Sequence, residues 1–306
     1  MIALVVHGGC GIWLPYAEEA AVSGCRDAVE KGYGILQHGG TALDAVVAAC
    51  VSLEDNPIFN AGTGSVLNMN GDAQMDASVM AGHTLQFGAV AAIERVRNPI
   101  LVAQKVSEAT DHTLLTGDGA VEFARRMGFA DYDPRTPQRI AEHKALRAKV
   151  PDGALKVNQF SAGHPEHAHS MTAGTVGAVA LDAAGNLATA TTTGGRLLKL
   201  PGRVGDTALP GSGTYATAHG AASSTGPGEF VMRILATRQA CDLIQAGQSA
   251  QTATEQTTQQ IQTLFSEQTG MIAIDQNGNI GVSHRTPEMP HAFVSSDRTL
   301  TARNRI

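Results

Sequence analysis

The pattern of apolar and polar residues predicts helices and strands in separate runs along the chain. Residues 2–7 read as a buried strand, and helices are expected from about Ala17 to Gln37 and from Ala42 to Glu54, with Thr41 as the N-cap of the second. Further strands are expected at Val66-Leu67, Met75 to Met80, Gly88 to Ile93 and Leu114-Leu115, with Asn70-Gly71 as a hairpin turn between the first two. Further helices are expected from Asn98-Pro99 to Ala109, from Asp118, as its cap, to Met127, and from Pro137 to Lys149.

The second half of the chain begins after a segment rich in Pro, Gly, Asn and Ser, which predicts a flexible linker over about 150–174. The elements expected beyond it are a hairpin of Val176 to Leu181 and Leu187 to Thr192, a helix from Gly228 to Ile244, a polar-faced helix over 248–263, and a hairpin of Met271 to Ile274 and Ile280 to Ser283. Segregated runs of helices and antiparallel strands favour an α+β fold.

Composition and charge narrow the classes of partner. The 306 residues are 43% hydrophobic and 16% charged, as in a compact globular protein. Lys and Arg number 22 against 28 Asp and Glu, for a net charge of −6 without a basic stripe. Nucleic acid and anionic membranes are therefore not expected as partners, and no apolar stretch reaches the length of a membrane span.

The four cysteines, Cys10, Cys25, Cys50 and Cys241, lack CxxC spacing, so we expect reduced thiols in the core. The apolar run after Met1 is too short for a signal peptide and has no basic leader, which favours a cytoplasmic protein. Cys10 follows Gly8-Gly9 and is one candidate nucleophile.

Thr175 is a second candidate, because it follows Gly174 and opens an alternating apolar run. A threonine hydroxyl needs a base beside it to act as a nucleophile. Cutting the Gly174–Thr175 peptide bond would create that base, since a free α-amine has an ordinary pKa of about 7.7–8.0. The alternative is a threonine that simply begins a strand, where its β-propensity is sufficient reason.

Several motifs occur in one order along most of the chain. They are His7-Gly8-Gly9, the segment Leu53-Glu54-Asp55-Asn56-Pro57-Ile58-Phe59-Asn60-Ala61-Gly62-Thr63-Gly64, Ala173-Gly174-Thr175-Val176-Gly177, Thr191-Thr192-Thr193-Gly194-Gly195, Pro201-Gly202-Arg203-Val204-Gly205-Asp206 and Ser224-Thr225-Gly226-Pro227-Gly228-Glu229. In these motifs the chain resembles the plant-type asparaginase and isoaspartyl peptidase family of N-terminal-nucleophile hydrolases.

The resemblance implies a four-layer αββα sandwich, formed as a single domain over 1–306. It also implies that the chain cuts itself into an α-chain of residues 1–174 and a β-chain of residues 175–306. The Thr175 hydroxyl would then attack the side-chain amide of L-asparagine or of a β-aspartyl dipeptide, form a β-aspartyl ester and release L-aspartate. No cofactor takes part in this bond cleavage, and a homodimer of αβ units is expected.

The same resemblance assigns site residues. Thr193 would support the nucleophile. Arg203 would bind the substrate α-carboxylate and Asp206 the α-amine, although a local surface ion pair is the alternative for these two. The remaining assignments are Thr225 and Gly226 as the oxyanion hole, Thr225, Gly226 and Gly228 as pocket lining, Asn60 near the scissile group, and Gly174 and Thr175 as the cleavage site.

Two cation sites are considered. The resemblance implies a structural sodium ion held by the backbone carbonyls of Leu53, Glu54, Asn56, Phe59, Ala61 and Thr63, with a simple turn as the alternative. Three histidines in His164-Pro165-Glu166-His167-Ala168-His169 have spacing that can chelate a metal, but a solvated segment is the favoured interpretation.

Departures from the family pattern make substrate preference the open question. Arg196-Leu197-Leu198-Lys199 places an extra cation near the expected pocket, which could alter the leaving group or slow maturation, and Ala173 stands where a histidine is frequent. The alternatives to the leading hypothesis are a glycosylasparaginase, a protein-processing threonine aspartase, and a non-catalytic binding protein that never matures.

Overall fold

The computed structural model describes residues 1–13, 15–151, 153–156, 174–295 and 299–306. The helices of this part are α1 (Pro15–Gln37), α2 (Ala42–Glu54), α3 (Pro99–Ala109), α4 (Gly117–Arg126), α5 (Pro137–Arg147), α6 (Gly228–Ile234), α7 (Ala236–Gln245) and α8 (Ala250–Phe265). The strands are β1 (Ala3–His7), β2 (Met75–Ala81), β3 (Gln86–Ile93), β4 (Leu114–Thr116), β5 (Val176–Leu181), β6 (Leu187–Thr193), β7 (Thr214–Ala216), β8 (Gly220–Thr225), β9 (Gly270–Asp275), β10 (Ile280–His284), β11 (His291–Val294) and β12 (Leu300–Arg303).

The strands form two sheets in a mixed α/β fold. The larger sheet has the order β12-β11-β1-β5-β6-β2-β3-β4, and the smaller has the order β10-β9-β8-β7. Neighbouring strands are antiparallel except for β3 and β4, which are parallel. Strand β1 lies between β11 and β5, so both halves of the chain contribute to one sheet.

Alternate residues of the central strands face two different apolar cores. Ala3 and Val5 of β1 pack with Ile272 and Ile274 of β9, and this cluster joins the two sheets. Leu4 and the other alternate positions pack instead with α1, α2 and α3. A third cluster joins α7 and α8 to the smaller sheet. Because the central strands are buried on both faces, they show apolar runs and not the alternation of a half-exposed strand.

Several local predictions are confirmed. Helix α2 begins after Thr41, whose side chain accepts a hydrogen bond from the Asp44 amide at 3.1 Å and donates to the Asp44 carboxylate at 2.7 Å. Residues Val176–Leu181 and Leu187–Thr193 pair as the predicted hairpin. All four cysteines are buried and unpaired. None of the described helices combines the length and apolarity that a membrane span requires.

The hairpin predicted at Asn70-Gly71 is wrong. Residues 66–67 are not in a strand, and β2 pairs with β3 and β6 instead. The asparagine and glycine belong to a local turn in which the Asn68 side chain accepts hydrogen bonds from the amides of Asn70 and Asp72. The same turn chemistry therefore closes a loop here without joining two strands.

Two helix predictions also need correction. The helix predicted from Gly228 to Ile244 is broken at Leu235, which has a φ of 52° and separates α6 from α7. Asp118 does not cap α4, because the N-cap is Thr116 and Asp118 lies in the first turn. An acidic residue remains favourable there, since it faces the positive end of the helix dipole.

The linker predicted over 150–174 and the histidines within it lie mostly outside the described residues, which include only 150, 151, 153–156 and 174 of that range. Ala173 is outside them as well. Strands β7, β8, β11 and β12 were not predicted, and β7 and β8 are half of the smaller sheet.

Candidate active site

A cavity of about 380 Å³ opens where β5 begins and β6 ends. This volume lies within the roughly 300–1,000 Å³ typical of small-molecule pockets. Residues that line it include Cys10, Gly174, Thr175, Thr193, Arg196, Arg203, Asp206, Gly226 and Glu267. The cavity therefore collects most of the side chains that the motifs single out.

Thr175 directly precedes β5, and Thr193 is the last residue of the neighbouring strand β6. Val176 pairs with Thr192, so one further step of the antiparallel register sets Thr175 opposite Thr193, on the same face of the sheet. Both side chains line the cavity and are nearly buried, with 7% and 3% of their surface exposed. Thr193 Oγ1 accepts a hydrogen bond from the Gly195 amide at 2.9 Å, which leaves its own O–H available to donate.

The residue before Thr175 packs against Thr225. A Cβ placed on Gly174 would lie 2.8 Å from Thr225 Oγ1, so only glycine fits this approach. Thr225 is fully buried behind Gly174, and its Oγ1 accepts a hydrogen bond from the Cys10 amide at 3.3 Å. Its hydroxyl hydrogen can therefore point towards another acceptor, while the neighbouring Gly226 lines the cavity.

The thiol of Cys10 also lines the cavity, but its environment does not favour nucleophilic attack. Its Sγ lies 3.5 Å from the carbonyl oxygen of Thr225, to which it donates. Burial raises the pKa of Cys10 to about 11, so the thiol stays protonated at neutral pH. A nucleophilic cysteine needs the opposite shift.

Arg203 and Asp206 are not a local surface ion pair. Arg203 donates from Nε and Nη2 to Glu229 Oε1 in α6, at 2.9 and 2.7 Å. Asp206 is buried and accepts a hydrogen bond from Ser224 Oγ at 3.1 Å. A Cβ on Gly228 would lie 2.5 Å from Asp206 Oδ1, so the absence of a side chain here leaves room for the carboxylate. Gly228 itself does not line the cavity.

The charges at this end of the cavity influence each other. Burial raises the pKa of Asp206 to about 6, against the opposing effects of the Arg203 guanidinium and the Ser224 hydrogen bond. Partial burial acts to raise the pKa of Glu229, but Arg203 and Arg196 hold it below its ordinary value. At neutral pH the cavity therefore offers the guanidinium of Arg203 and the carboxylate of Asp206, three residues further along the same loop.

Asn60 lies behind the cavity wall and does not line it. Its Nδ2 donates to the Gly195 carbonyl at 2.7 Å, and its Oδ1 accepts from the Val66 amide at 2.9 Å. The Gly194 amide donates to the Asn60 carbonyl at 2.8 Å. Asn60 thus fixes the turn that directly follows Thr193.

The segment 53–63 folds back on itself. The Thr63 amide donates to the Glu54 carbonyl at 2.8 Å, and the carbonyls of Leu53 and Asn56 also accept backbone hydrogen bonds. Each carbonyl oxygen has a second lone pair, so these bonds do not prevent cation binding. The donor set consists of neutral oxygens, which suits a hard monovalent cation.

Asp76, which the motifs do not single out, links the end of β6 to the loop 203–206. Asp76 pairs with Thr193 across β2 and β6 and is fully buried. Its Oδ1 accepts from the Ala92 amide at 2.8 Å, and its Oδ2 accepts from the Gly205 amide at 3.1 Å. The signal was a lone acidic residue inside the apolar run from Met75 to Met80, because an acid there must have buried donors.

The chain is similar to known proteins over nearly its whole length. The family model described as asparaginase matches residues 1–302. The plant-type L-asparaginase of Pyrococcus abyssi is 45% identical over 300 residues, which cover 96% of each chain. The isoaspartyl peptidase/L-asparaginase of Danio rerio is 41% identical over 278 residues, or 90% of this chain and 86% of the relative, and that of Rattus norvegicus is 39% identical over 299 residues, or 97% and 87%.

Proposed function

Because the chain belongs to the asparaginase family, we propose that it is a self-cleaving threonine amidohydrolase, which converts L-asparagine and β-aspartyl dipeptides to L-aspartate. The observation that carries this proposal is that Thr175 and Thr193 line the same cavity as Arg203 and Asp206. A nucleophile and two groups that match an α-amino acid then face one space.

Maturation begins with attack of the Thr175 hydroxyl on the carbonyl carbon of Gly174. The hydroxyl proton passes to the peptide nitrogen as the C–N bond breaks, so the acyl group moves from nitrogen to oxygen and forms an ester. Water then hydrolyses the ester and gives a Gly174 carboxylate and a free α-amine on Thr175. Thr225 supports this step, since its Oγ1 lies beside Gly174 and can donate to the oxyanion.

The mature site uses the new amine as a general base. The α-amine of Thr175 removes the hydroxyl proton, the hydroxyl attacks the β-carbonyl carbon of the substrate, and the amine nitrogen of the leaving group takes the proton. Water then attacks the β-aspartyl ester and releases L-aspartate. Departure of Gly174 would expose Thr225 Oγ1, so that with the Gly226 amide it can hold the negative charge on the substrate oxygen.

The binding roles follow from charge. Arg203 pairs with the substrate α-carboxylate and ionised Asp206 with the α-ammonium, since both line the cavity. Thr193 donates its hydroxyl towards the nucleophile, and Asn60 holds the turn behind it.

Two coarser features support the rest of the assignment. Two sheets share an apolar core, and helices pack with each sheet in separate clusters, which supports a four-layer αββα sandwich of the N-terminal-nucleophile type. The unpaired thiols support a reducing, cytoplasmic compartment. A homodimer of αβ units is part of the proposal, and sedimentation of the mature protein tests it.

The segment 53–63 supports a structural sodium site, because it closes on itself and its backbone carbonyls are neutral oxygen ligands. Sodium that binds the folded chain alone must raise its melting temperature. The melting temperature in sodium chloride should therefore be higher than that in choline chloride at equal ionic strength. Equal melting temperatures would leave the segment as a simple turn.

The decisive experiment compares purified wild type with Thr175→Ala on a denaturing gel. Wild type should give two bands, the second of which begins at Thr175, and the variant should stay as one uncut, inactive chain. The matched control is Thr189→Ala, a buried threonine on β6 that does not line the cavity, which should still mature. Two bands from Thr175→Ala would refute the mechanism.

A substrate panel then separates the alternatives. L-asparagine, β-aspartyl dipeptides and glycosylated asparagine are compared by kcat/KM. Preference for glycosylated asparagine would indicate a glycosylasparaginase, and cleavage only of folded proteins would indicate a threonine aspartase. One uncut wild-type chain would indicate a non-catalytic binding protein.

A further inference from the structure

Arg196 is a second guanidinium in the cavity wall, three residues after Thr193. Its side chain is 36% exposed, whereas that of Arg203 is 17% exposed. Arg196 Nη1 lies 3.4 Å from Glu229 Oε2, which is a longer contact than either bond from Arg203 to the same carboxylate. Arg196 is therefore the more loosely held and more accessible of the two cations.

One carboxylate serves two guanidiniums here. Arg203 donates two short hydrogen bonds to the Glu229 carboxylate, so the charge of Glu229 mainly neutralises Arg203. A guanidinium carries five N–H donors, and within the described residues the contact with Glu229 is the hydrogen bond that the Arg196 side chain makes. The acidic residues that line the cavity are Asp206, which accepts a hydrogen bond from Ser224, and Glu267.

The substrates of the proposed reaction differ in their leaving groups. Asparagine releases ammonia, whereas a β-aspartyl dipeptide releases an amino acid with its own α-carboxylate. With the aspartyl half at Arg203 and Asp206 and the scissile carbon at Thr175, the leaving group must occupy the rest of the cavity. The whole cavity has a volume of about 380 Å³, which is in the range for ligands larger than one amino acid.

We propose that Arg196 binds the α-carboxylate of the leaving amino acid, so that the site selects β-aspartyl dipeptides with a free C-terminus. The inference rests on the proposed function and adds a leaving-group subsite to it. A hydrogen bond to a charged group changes an equilibrium by about tenfold to a hundredfold. Removal of the carboxylate from the substrate should therefore cost about tenfold or more in kcat/KM, and only while Arg196 is present.

The test compares β-aspartyl-leucine with β-aspartyl-leucinamide, which differ only in that carboxylate. Wild type should prefer the acid by about tenfold or more, and in Arg196→Met the preference should fall to within about twofold. Arg196→Lys should keep part of the preference, because it keeps the charge but not the planar fork. Arg126→Met, an exposed arginine on α4 outside the cavity, is the matched control and should keep all of it.

L-asparagine serves as the reference substrate in each variant, so that incomplete maturation cancels from the ratios. A wild-type preference near one, or a preference that Arg196→Met leaves intact, overturns the inference while asparagine hydrolysis upholds the proposed function. Preference for the amide overturns it as well and would put the leaving group beside Glu267. If Arg196→Met does not mature, Arg196→Lys and the wild-type ratio decide. A wild-type preference near one, or a preference that Arg196→Lys leaves fully intact, then overturns the inference. Hydrolysis of none of the three substrates by mature wild type refutes the proposed function itself.

Discussion

The Ser224 hydroxyl stabilises the charged form of the carboxylate that we propose binds the substrate ammonium. Ser224 Oγ donates to Asp206 Oδ2 at 3.1 Å, and both residues are buried. Burial raises the pKa of Asp206 to about 6, and this hydrogen bond is one of the contacts that prevent a larger rise. Ser224→Ala should therefore raise the pKa further and move the acid limb of the activity profile.

The size of this effect follows from the contact. A hydrogen bond to a charged group is worth about 1.5–3 kcal/mol, and about 1.4 kcal/mol corresponds to one pKa unit. Because protonated Asp206 can keep a weaker bond to the serine, we take the lower end, which moves the pKa from about 6 to about 7. The ionised fraction at about pH 6 then falls from about one half to about one tenth, whereas at about pH 8.5 it stays above nine tenths.

The assay is kcat/KM for L-asparagine across this pH range, expressed as the ratio of variant to wild type. The ratio should be about one fifth at about pH 6 and close to one at about pH 8.5. Titration of the Thr175 amine cancels from the ratio because both proteins share it. A ratio that does not change with pH would refute the role of Asp206.

Ser223→Ala is the matched control, since Ser223 contacts His7 at 2.9 Å and Thr191 at 2.8 Å but not the carboxylate. Burial and the nearby His291 lower the pKa of His7 to about 3, so this control should give a ratio independent of pH.

The contribution of Asp206 to folding stability changes with pH in the opposite direction to its contribution to activity. Because the folded pKa of Asp206 lies above its ordinary value, its stabilising contribution is full below about pH 4 and is lost as pH rises through the folded pKa.

Three further predictions concern positioning and stability. Asp76→Asn keeps one acceptor oxygen and loses one of two hydrogen bonds from backbone amides. We therefore expect KM for asparagine to rise about tenfold, with a smaller change in kcat. A loss confined to kcat would contradict this prediction. Burial raises the pKa of Glu54 to about 8, so the stabilising contribution of this side chain is lost as pH rises from about 4.5 through about 8. In urea denaturation, the free energy of unfolding of Glu54→Gln relative to wild type should therefore grow by on the order of 3 kcal/mol between about pH 5 and 8. A difference that stays constant with pH would contradict this prediction. A Cβ on Gly177 would lie 2.0 Å from Ser223 Oγ, so Gly177→Ala should cost about 1–3 kcal/mol, whereas Gly119→Ala, which meets no atom within 4 Å, should be neutral or stabilising in thermal melts.

The helices and long central strands could be predicted from sequence because their determinants are local. Thr41 has the acidic partner that a cap prefers, and the strand at Val176–Leu181 is an apolar run bounded by turn residues. The strand Gly220–Thr225 was missed because its residues are Gly, Ala, Ser and Thr, most of which have weak strand propensity. Its pairing with β9, some fifty residues further along, supplies what local preference does not.

The residues of the candidate site could be proposed from motifs, but their contacts could not. The motifs named Arg203 and Asp206, yet the residues that they contact, Glu229 and Ser224, belong to a second motif some twenty residues further along the chain. Asp76 was invisible to motif analysis because its partners are backbone amides from two other segments. Contacts of this kind depend on how β2, β6 and the binding loop pack together, which a linear pattern does not encode.

The strand arrangement explains how the chain could be cut before Thr175 without loss of its nucleophile. Strand β5 begins at Val176 and is hydrogen-bonded on one side to β1 and on the other to β6, so its position does not depend on Gly174. Strand β1 comes from the first fragment but lies between β5 and β11 of the second. Separation of the fragments would expose both faces of β1 and its backbone groups, which is costly in water. We therefore expect the two fragments to remain one folded unit, in which the new α-amine stays at the cavity that Thr175 already lines.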